Sequence, residues 1–297
     1  MIGLWKRFVA AQARPVDTRP LAALRILLPL CVVFDLLRSV QLGMAEVYYR
    51  PWDAGGLSTF SGDAWVLGGL GSDVGPWLVV LVVSCMLLVS LGLGVRPALL
   101  VGVLAYAQLG HLYPPGDRGI DRIIRTTLLL LVFSRSHRRW ALGDRLLGRP
   151  PVETQPAAVR NLVLWFLVLV YTAAGVSKLV QQPAWLSVTG TPVLYRVLTD
   201  PLGGGLDHLT WAGLRLPFFV GGWFTIAFEV GSLLLLTRWR PWFGLLGILM
   251  HVGIGVTMEL GMFSAGMLCL YVVVMAEWWV PALDRGTAAR PCTRPGG

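Results

Sequence analysis

The stretch "VRNLVLWFLVLVYTAAGVSKLV", residues 159–180, decides the fold of this 297-residue chain. A helix that crosses a membrane needs about 20 mostly apolar residues. This stretch is long enough, and it carries no charged side chain between Leu162 and Val176. It closes on a lysine, Lys178. The pattern predicts a transmembrane helix.

Other apolar stretches of the same kind lie on both sides of it. The predicted spans are 21–40, 75–94, 97–113, 120–135, 159–180, 217–237, 241–259 and 262–280. The third and fourth are short and hold polar residues. Short links at 94–97 and 238–241 end in proline, which favours the start of a new helix and predicts helical hairpins. The sequence therefore predicts an all-α fold, a polytopic integral membrane helical bundle of about eight transmembrane helices.

The composition agrees with a lipid-embedded chain. Hydrophobic residues make up 55% of it and charged residues only 14%, whereas about a quarter of a soluble domain is charged. The formal charge of +9 does not indicate nucleic acid binding, because the arginines are spread between the apolar runs. The expected partner is the lipid bilayer, with no nucleic acid.

Basic residues set the predicted orientation. If both termini are cytoplasmic, the inner segments hold 15 basic residues and the outer segments only 4, Arg50, Arg118, Arg196 and Arg215. The positive-inside rule therefore predicts both termini in the cytoplasm. We expect an amphipathic cytoplasmic segment at 1–19, a membrane domain at 20–281 and a disordered cytoplasmic tail at 282–297. The bias for arginine over lysine suggests a bacterial genome, and the expected location is the inner (plasma) membrane.

The cysteines predict neither a metal site nor a disulfide framework. Cys31, Cys85 and Cys269 lie inside apolar runs, and Cys292 lies in the tail. None of them stands in a CxxC motif or at a zinc-ligand spacing.

Ionisable side chains inside spans are costly and mark functional or paired positions. With this topology several of them fall in the outer half of the membrane, and His251 falls near its middle. The outer group is Asp35, Arg38, Asp121, Arg125, Lys178 and Glu259. The spacings predict that Asp35 pairs with Arg38 and that Asp121 pairs with Arg125. Such pairs can also be purely structural, and Arg25 is expected to snorkel to the inner surface.

Lys178 stands out among the charged residues. The chain has 25 basic residues, and only Lys6 and Lys178 are lysines. Unlike arginine, a desolvated lysine can lose its proton and act as a base. The alternative is an interfacial anchor beside Trp185.

Four stretches resemble a known family. They are "RPLAALRILLPLCVVFDLLRS", "DRIIRTTLLLLVF" followed by "RRWALGDRL", "AGVSKL" followed by "AWLSVTGTPVLYRVL", and "MHVGIGVTMELGMFSAGML". In this order and spacing the chain resembles the horizontally transferred transmembrane (HTTM) domain. Vitamin K-dependent gamma-glutamyl carboxylases share this membrane domain. Short bacterial members include proteins similar to sporulation-delaying-protein B.

The resemblance implies an activity and a set of site residues. In the carboxylases the lysine that matches Lys178 is the base that activates vitamin K hydroquinone. A menaquinol or vitamin K hydroquinone-type quinol is therefore the implied cofactor, and a secreted peptide or a partner enzyme is the implied partner. With Lys178 as the base, the expected catalytic residues are Lys178, His251 and Glu259. The charged layer in the outer half of the membrane adds the expected cofactor-binding residues Asp35, Arg38, Asp121 and Arg125, together with Trp185.

Two other functions stay open at this point. A transporter or export factor would need a polar route through the whole membrane, and the inner half holds little polar besides Arg25. A non-catalytic scaffold for maturation of a secreted peptide would need none of the ionisable residues to react.

Overall fold

The computed structural model describes residues 2–50, 52, 55–57, 74–187, 192–198 and 215–288. Almost all of these residues are helical, as predicted. The helices are α1 Ile2–Ala13, α2 Arg19–Gln41, α3 Met44–Tyr49, α4 Val74–Leu91, α5 Val95–Leu112, α6 Gly119–Leu131, α7 Leu142–Leu146, α8 Ala158–Val180, α9 Val193–Leu198, α10 Arg215–Val230, α11 Arg240–Thr257, α12 Phe263–Val274 and α13 Ala276–Ala288. Short 3-10 segments occupy Pro114–Gly116, Ser136–Arg138, Pro183–Trp185 and Gly231–Leu236.

The helices fit a multi-pass membrane bundle. In the described part of the chain, five helical segments are long and apolar enough to span a membrane: Arg19–Gln41, Val74–Leu91, Val95–Leu112, Ala158–Val180 and Leu216–Leu236. The pair of α12 and α13, bent by 67°, can form a sixth span. The helical bundle is thus confirmed, while the predicted count of eight is not reached by length and composition. Helix α6 has only 13 residues, and α11 includes an arginine, a histidine and four glycines.

The chain divides into two compact units. The first unit is Met1–Val163 with Gly261–Leu270, and the second unit is Leu164–Leu260 with Tyr271–Gly297. In the first unit α4 packs along both α2 and α5. Side chains on these three helices that are completely buried are Leu24, Leu28, Val82, Met86 and Leu99. In the second unit α10 and α11 both contact the segment Gly231–Leu236.

A small antiparallel ribbon, which the sequence did not predict, ties together two distant segments of the first unit. Strand β1, Pro15–Asp17, pairs with strand β2, Thr154–Pro156. Two further backbone hydrogen bonds extend it, from Thr18 N to Glu153 O at 3.0 Å and from Ala157 N to Arg14 O at 2.9 Å. Three-residue strands lack the alternation that marks a strand in sequence, so only the fold reveals this pairing.

Arg25 does not snorkel, contrary to the sequence-based expectation. It is fully buried, and its guanidinium donates hydrogen bonds to the backbone carbonyls of Val89, Ser90, Arg139 and Trp140. Carbonyls in the last turn of a helix lack partners within that helix, and a guanidinium can donate five hydrogen bonds. Arg25 therefore provides hydrogen-bond donors for backbone carbonyls at the end of α4 and at residues 139–140, within the first unit.

The C-terminal segment differs from its prediction. The sequence predicts a disordered tail from 282, but α13 continues to Ala288. Pro281 lies within this helix. Residues 289–297 lie outside the described part of the chain.

Candidate functional site

Lys178 forms a close ion pair in the second unit. It lies in the last turn of α8, and its Nζ is 2.6 Å from Oε1 and 2.8 Å from Oε2 of Glu229 on α10. The Lys178 side chain is 21% exposed and that of Glu229 is 9% exposed. The Glu229 carboxylate is therefore almost fully buried, whereas part of the Lys178 side chain remains accessible.

A glycine sets the distance between the two helices at this pair. A Cβ added to Gly175 would lie 2.9 Å from Val230 Cγ2 and 3.0 Å from Glu229 Cβ. Gly175 precedes Lys178 by three residues, so both lie on the same face of α8. A larger residue there would push α10 away and stretch the contact between Lys178 and Glu229.

Trp185 lies beside the lysine. The segment Pro183–Trp185 follows α8, and Lys178 Nζ lies 5.5 Å from the centroid of the Trp185 ring. This is within the range of a cation–π contact. The indole N–H is oriented by Gln182, whose Oε1 accepts a hydrogen bond from it at 3.0 Å. Charge and a flat aromatic surface therefore meet at the end of α8.

His251 belongs to a hydrogen-bonded chain with two tyrosines. Tyr171 Oη lies 2.6 Å from His251 Nε2 and 2.8 Å from Tyr271 Oη. All three residues are at most 4% exposed. Sequence reasoning singled out His251 but missed both tyrosines. The signal for Tyr171 was its position seven residues before Lys178, which places it on the same helical face two turns away.

Glu259 takes no part in these contacts. It is exposed and follows the end of α11 at Thr257. The sequence placed Glu259 with Lys178 as a helper, but the carboxylate that binds Lys178 is Glu229. Glu229 lies at the end of α10 and Glu259 lies just after the end of α11. Their positions in the sequence are therefore similar, and only the fold shows which one binds Lys178.

In the first unit, Arg118 gathers the two aspartates that the sequence assigned elsewhere. Its guanidinium pairs with Asp35 on α2 and with Asp121 at 2.9 Å. Asp121 also accepts a hydrogen bond from Tyr106 Oη at 2.6 Å and one from the Arg118 backbone N–H at 2.9 Å. The predicted pair of Asp35 with Arg38 is wrong. Arg38 is exposed and makes no ion pair within the described residues.

Arg125 is also paired differently from the prediction. Its Nη1 is 2.7 Å from Asp117 Oδ1, and Arg122 Nε is 2.9 Å from Asp117 Oδ2. Asp121 is already occupied by Arg118, so the predicted pair with Arg125 does not form. Burial alone would raise the pKa of Asp117, but the hydrogen bonds from Arg125 and Arg122 outweigh it and lower that pKa.

The family assignment rests on a match over most of the chain. The family profile of the HTTM domain matches residues 13–279. The chain belongs to the HTTM domain family. No curated protein sequence and no solved structure gives a significant match. The HTTM assignment, together with the apolar helices, establishes a multi-pass membrane protein.

The predicted site residues of this HTTM protein fall into both units. Lys178, Trp185, His251 and Glu259 lie in the second unit, and Asp35, Arg38, Asp121 and Arg125 lie in the first. Within the described residues, no three His, Cys, Asp or Glu side chains are grouped as a metal site would require. The group with reactive potential is the set of Lys178, Glu229 and Trp185, because it combines a partly buried amine, a carboxylate and a flat ring.

Proposed function

We propose that this HTTM protein is a membrane enzyme that uses a lipid-soluble quinol-type cofactor. Lys178 and Glu229 would transfer a proton to or from this cofactor. The substrate of the enzyme would be a secreted peptide or a small molecule that reaches an outward-facing cavity in the bacterial plasma membrane. One observation carries the proposal: Lys178 is bound to Glu229 through both carboxylate oxygens, yet its side chain keeps 21% of its surface exposed. A partner-bound but reachable amine is what acid–base chemistry needs.

The residues around Lys178 fit a quinol-type group. Such a group has a flat ring, hydroxyls that donate hydrogen bonds and an apolar tail. The Trp185 ring, 5.5 Å from the amine, offers a flat surface for stacking. The Glu229 carboxylate offers an acceptor for a hydroxyl, and the apolar outer faces of α8 and α10 suit the tail.

The pair can move a proton in either of two ways. When bound, a quinol supplies a weakly acidic hydroxyl and two electrons. Glu229 can take a proton at Oε1 or Oε2, and the Lys178 ammonium then stabilises the negative charge that develops beside it. Alternatively the proton first passes from Lys178 to Glu229, which leaves a neutral amine as the base. An arginine cannot adopt this neutral form.

His251 has a supporting role in the proposal. Tyr171 and Lys178 are separated by two helical turns, about 10 Å along the axis of α8. The chain of His251, Tyr171 and Tyr271 therefore does not touch the amine. We assign it to fixing α11 and α12 against α8.

The test compares the two lysines of the chain. Purified protein in lipid nanodiscs is given menaquinol-4, and oxygen uptake is followed with an electrode. Lys178→Arg keeps the charge and is expected to reduce quinol-dependent uptake to the background of empty nanodiscs. Lys6→Arg, at an exposed position of α1, is the matched control and is expected to behave as wild type. If Lys178→Arg retains full uptake and the same melting temperature, Lys178 is not the base.

A second candidate function is a non-catalytic scaffold for maturation of a secreted peptide. The observation that favours it is the same ion pair, because two short bonds to Glu229 also suit a purely structural lysine. In that case no variant of Lys178 affects oxygen uptake, since none is catalysed. A maturation enzyme would then co-purify equally with wild type and with Lys178→Arg.

A further inference from the structure

Two cysteines from opposite ends of the chain meet in the first unit. The Sγ atoms of Cys31 on α2 and Cys269 on α12 are 3.4 Å apart, although 238 residues separate them in sequence. Both are free thiols, and both are half-buried. The sequence predicts no disulfide framework, because no cysteine stands in a CxxC motif.

We propose that Cys31 and Cys269 form a redox-active dithiol that a lipid-soluble quinone oxidises to a disulfide. The inference does not depend on the proposed function, because it involves none of the residues around Lys178. It adds a second reactive position to the protein. It also gives α2 and α12 a covalent link that can be made and broken.

The geometry needs only a small adjustment. The sulfur atoms of a disulfide lie about 2.0 Å apart, so the two thiols have to approach by roughly 1.4 Å from their separation of 3.4 Å. Rotation of two cysteine side chains covers such a distance. The pair is also selective: Cys85 is buried on α4 and has no sulfur partner among the described residues.

The reaction balances without a further reactant. Two S–H bonds break and one S–S bond forms, so the dithiol gives up two electrons and two protons. A quinone takes up the same two electrons and two protons and becomes a quinol. The disulfide is the oxidised product, the quinol is the reduced product, and no proton is left over.

The location of the pair favours a quinone as the oxidant. Cys31 is near the middle of the apolar span Arg19–Gln41, a depth that charged thiol reagents such as glutathione do not enter. Quinones dissolve in the membrane and accept electrons from dithiol systems in bacteria. Since both thiols are half-buried rather than sealed, a small hydrophobic oxidant can reach them.

The test counts thiols in the whole protein. Full-length protein in nanodiscs, fully reduced and freed of reductant, is incubated with decylubiquinone under argon. Quinol formation is followed by absorbance. The protein is then denatured, labelled with a polyethylene-glycol maleimide, and resolved on a gel that separates species by label number. Wild type has four cysteines and is expected to fall from four labels to two, with a peptide linking Cys31 to Cys269 found by mass spectrometry.

Three variants complete the test. Cys85→Ser is the matched control and is expected to lose two labels and to form quinol at the wild-type rate. Cys31→Ser and Cys269→Ala are each expected to keep all three remaining labels and to form quinol only at background. Lys178→Arg is expected to oxidise its thiols normally, which separates this inference from the proposed function.

Three results would overturn the inference. One is retention of four labels by wild type after quinone treatment when diamide, a small thiol oxidant, does remove two. Another is equal label loss in Cys31→Ser and wild type. The third is loss of label through a disulfide between two protein molecules, because the two thiols would then not pair within one chain.

Discussion

At the scale of single residues, the charged side chains were easy to locate and hard to pair. Asp35, Asp121 and Arg125 interrupt apolar runs, so their cost in a membrane marks them in the sequence. Their partners come from elsewhere. Arg118 and Asp117 precede α6 and bind Asp35 and Arg125 respectively. Spacing along one helix identifies candidate partners. It cannot show that a residue outside the helix, such as Arg118 or Asp117, forms the ion pair instead.

The Lys178 pair gives a prediction for stability. Lys178→Met leaves Glu229 buried without a partner, and we expect the free energy of unfolding to fall by about 3–5 kcal/mol. Adding Glu229→Leu removes the stranded carboxylate as well, so the double variant is expected to regain most of the loss. Reversible unfolding in mixed micelles, followed by circular dichroism, measures both values. A double variant less stable than Lys178→Met would show that Glu229 does not depend on the lysine.

Asp117 gives a prediction that depends on pH. Its pKa is lowered in the folded protein, so the stabilisation it provides is present above its unfolded pKa of about 3.9. That stabilisation is lost as the pH falls through the folded pKa. Asp117→Asn is therefore expected to cost about 1–3 kcal/mol at pH 7, and this difference from wild type should shrink as the pH falls below 4.

Melting curves of both proteins from pH 7 to pH 3 check this expectation. Glu46→Gln is the control, since its ion pair with Arg50 is exposed on both sides and should contribute little at any pH. A constant difference between Asp117→Asn and wild type across the whole range would mean that the charge of Asp117 is not what stabilises the fold.

At the scale of the helices, glycines determine how closely neighbours approach. Helix α11 has glycines at 244, 247, 253 and 255, which in sequence look alike. In the fold, a Cβ added to Gly247 would lie 1.9 Å from Tyr271 Oη, whereas one added to Gly253 would meet nothing within 4 Å. Only the first of these positions is needed for the hydroxyl of Tyr271 to reach Tyr171.

Two alanine substitutions on α11 test this difference. Gly247→Ala is expected to displace Tyr271 and to lower the free energy of unfolding by about 1–3 kcal/mol. Gly253→Ala meets no atoms, and its better helix propensity is expected to raise that free energy by up to about 1 kcal/mol. Thermal unfolding of both variants in the same detergent provides the comparison. Equal losses in the two variants would contradict the close packing at Tyr271.

At the scale of the whole molecule, the small ribbon constrains how the chain crosses the membrane. Because β1 pairs with β2, residues 15–17 and 154–156 lie on the same side. An even number of crossings must then separate them. In the described part of the chain, α2, α4 and α5 are three candidate spans, so this pairing predicts a fourth crossing, for which α6 is the candidate. With 13 residues it is about 20 Å long, shorter than the bilayer core of about 30 Å.

Labelling from outside the cell checks this topology. In a cysteine-free background, Arg145→Cys on α7 is expected to resist a membrane-impermeant maleimide, since the positive-inside rule predicts its segment in the cytoplasm. Arg196→Cys on α9 is expected to be labelled, because the same rule predicts that its loop faces outward. Both positions are exposed, and permeabilised cells should label both. Labelling of Arg145→Cys in intact cells would contradict the predicted topology.

The sequence by itself determined the class of the protein and its general architecture. Apolar runs of about 20 residues suffice for this, because the bilayer imposes helices on any chain that crosses it. The sequence also singled out Lys178, one of only two lysines, and it revealed the resemblance to the HTTM domain. The tertiary structure decided the pairs: Lys178 with Glu229, Arg118 with Asp35 and Cys31 with Cys269. These contacts join residues far apart in the chain. The spacing of residues along one helix shows which of them share a face, but it does not show which other helix packs against that face.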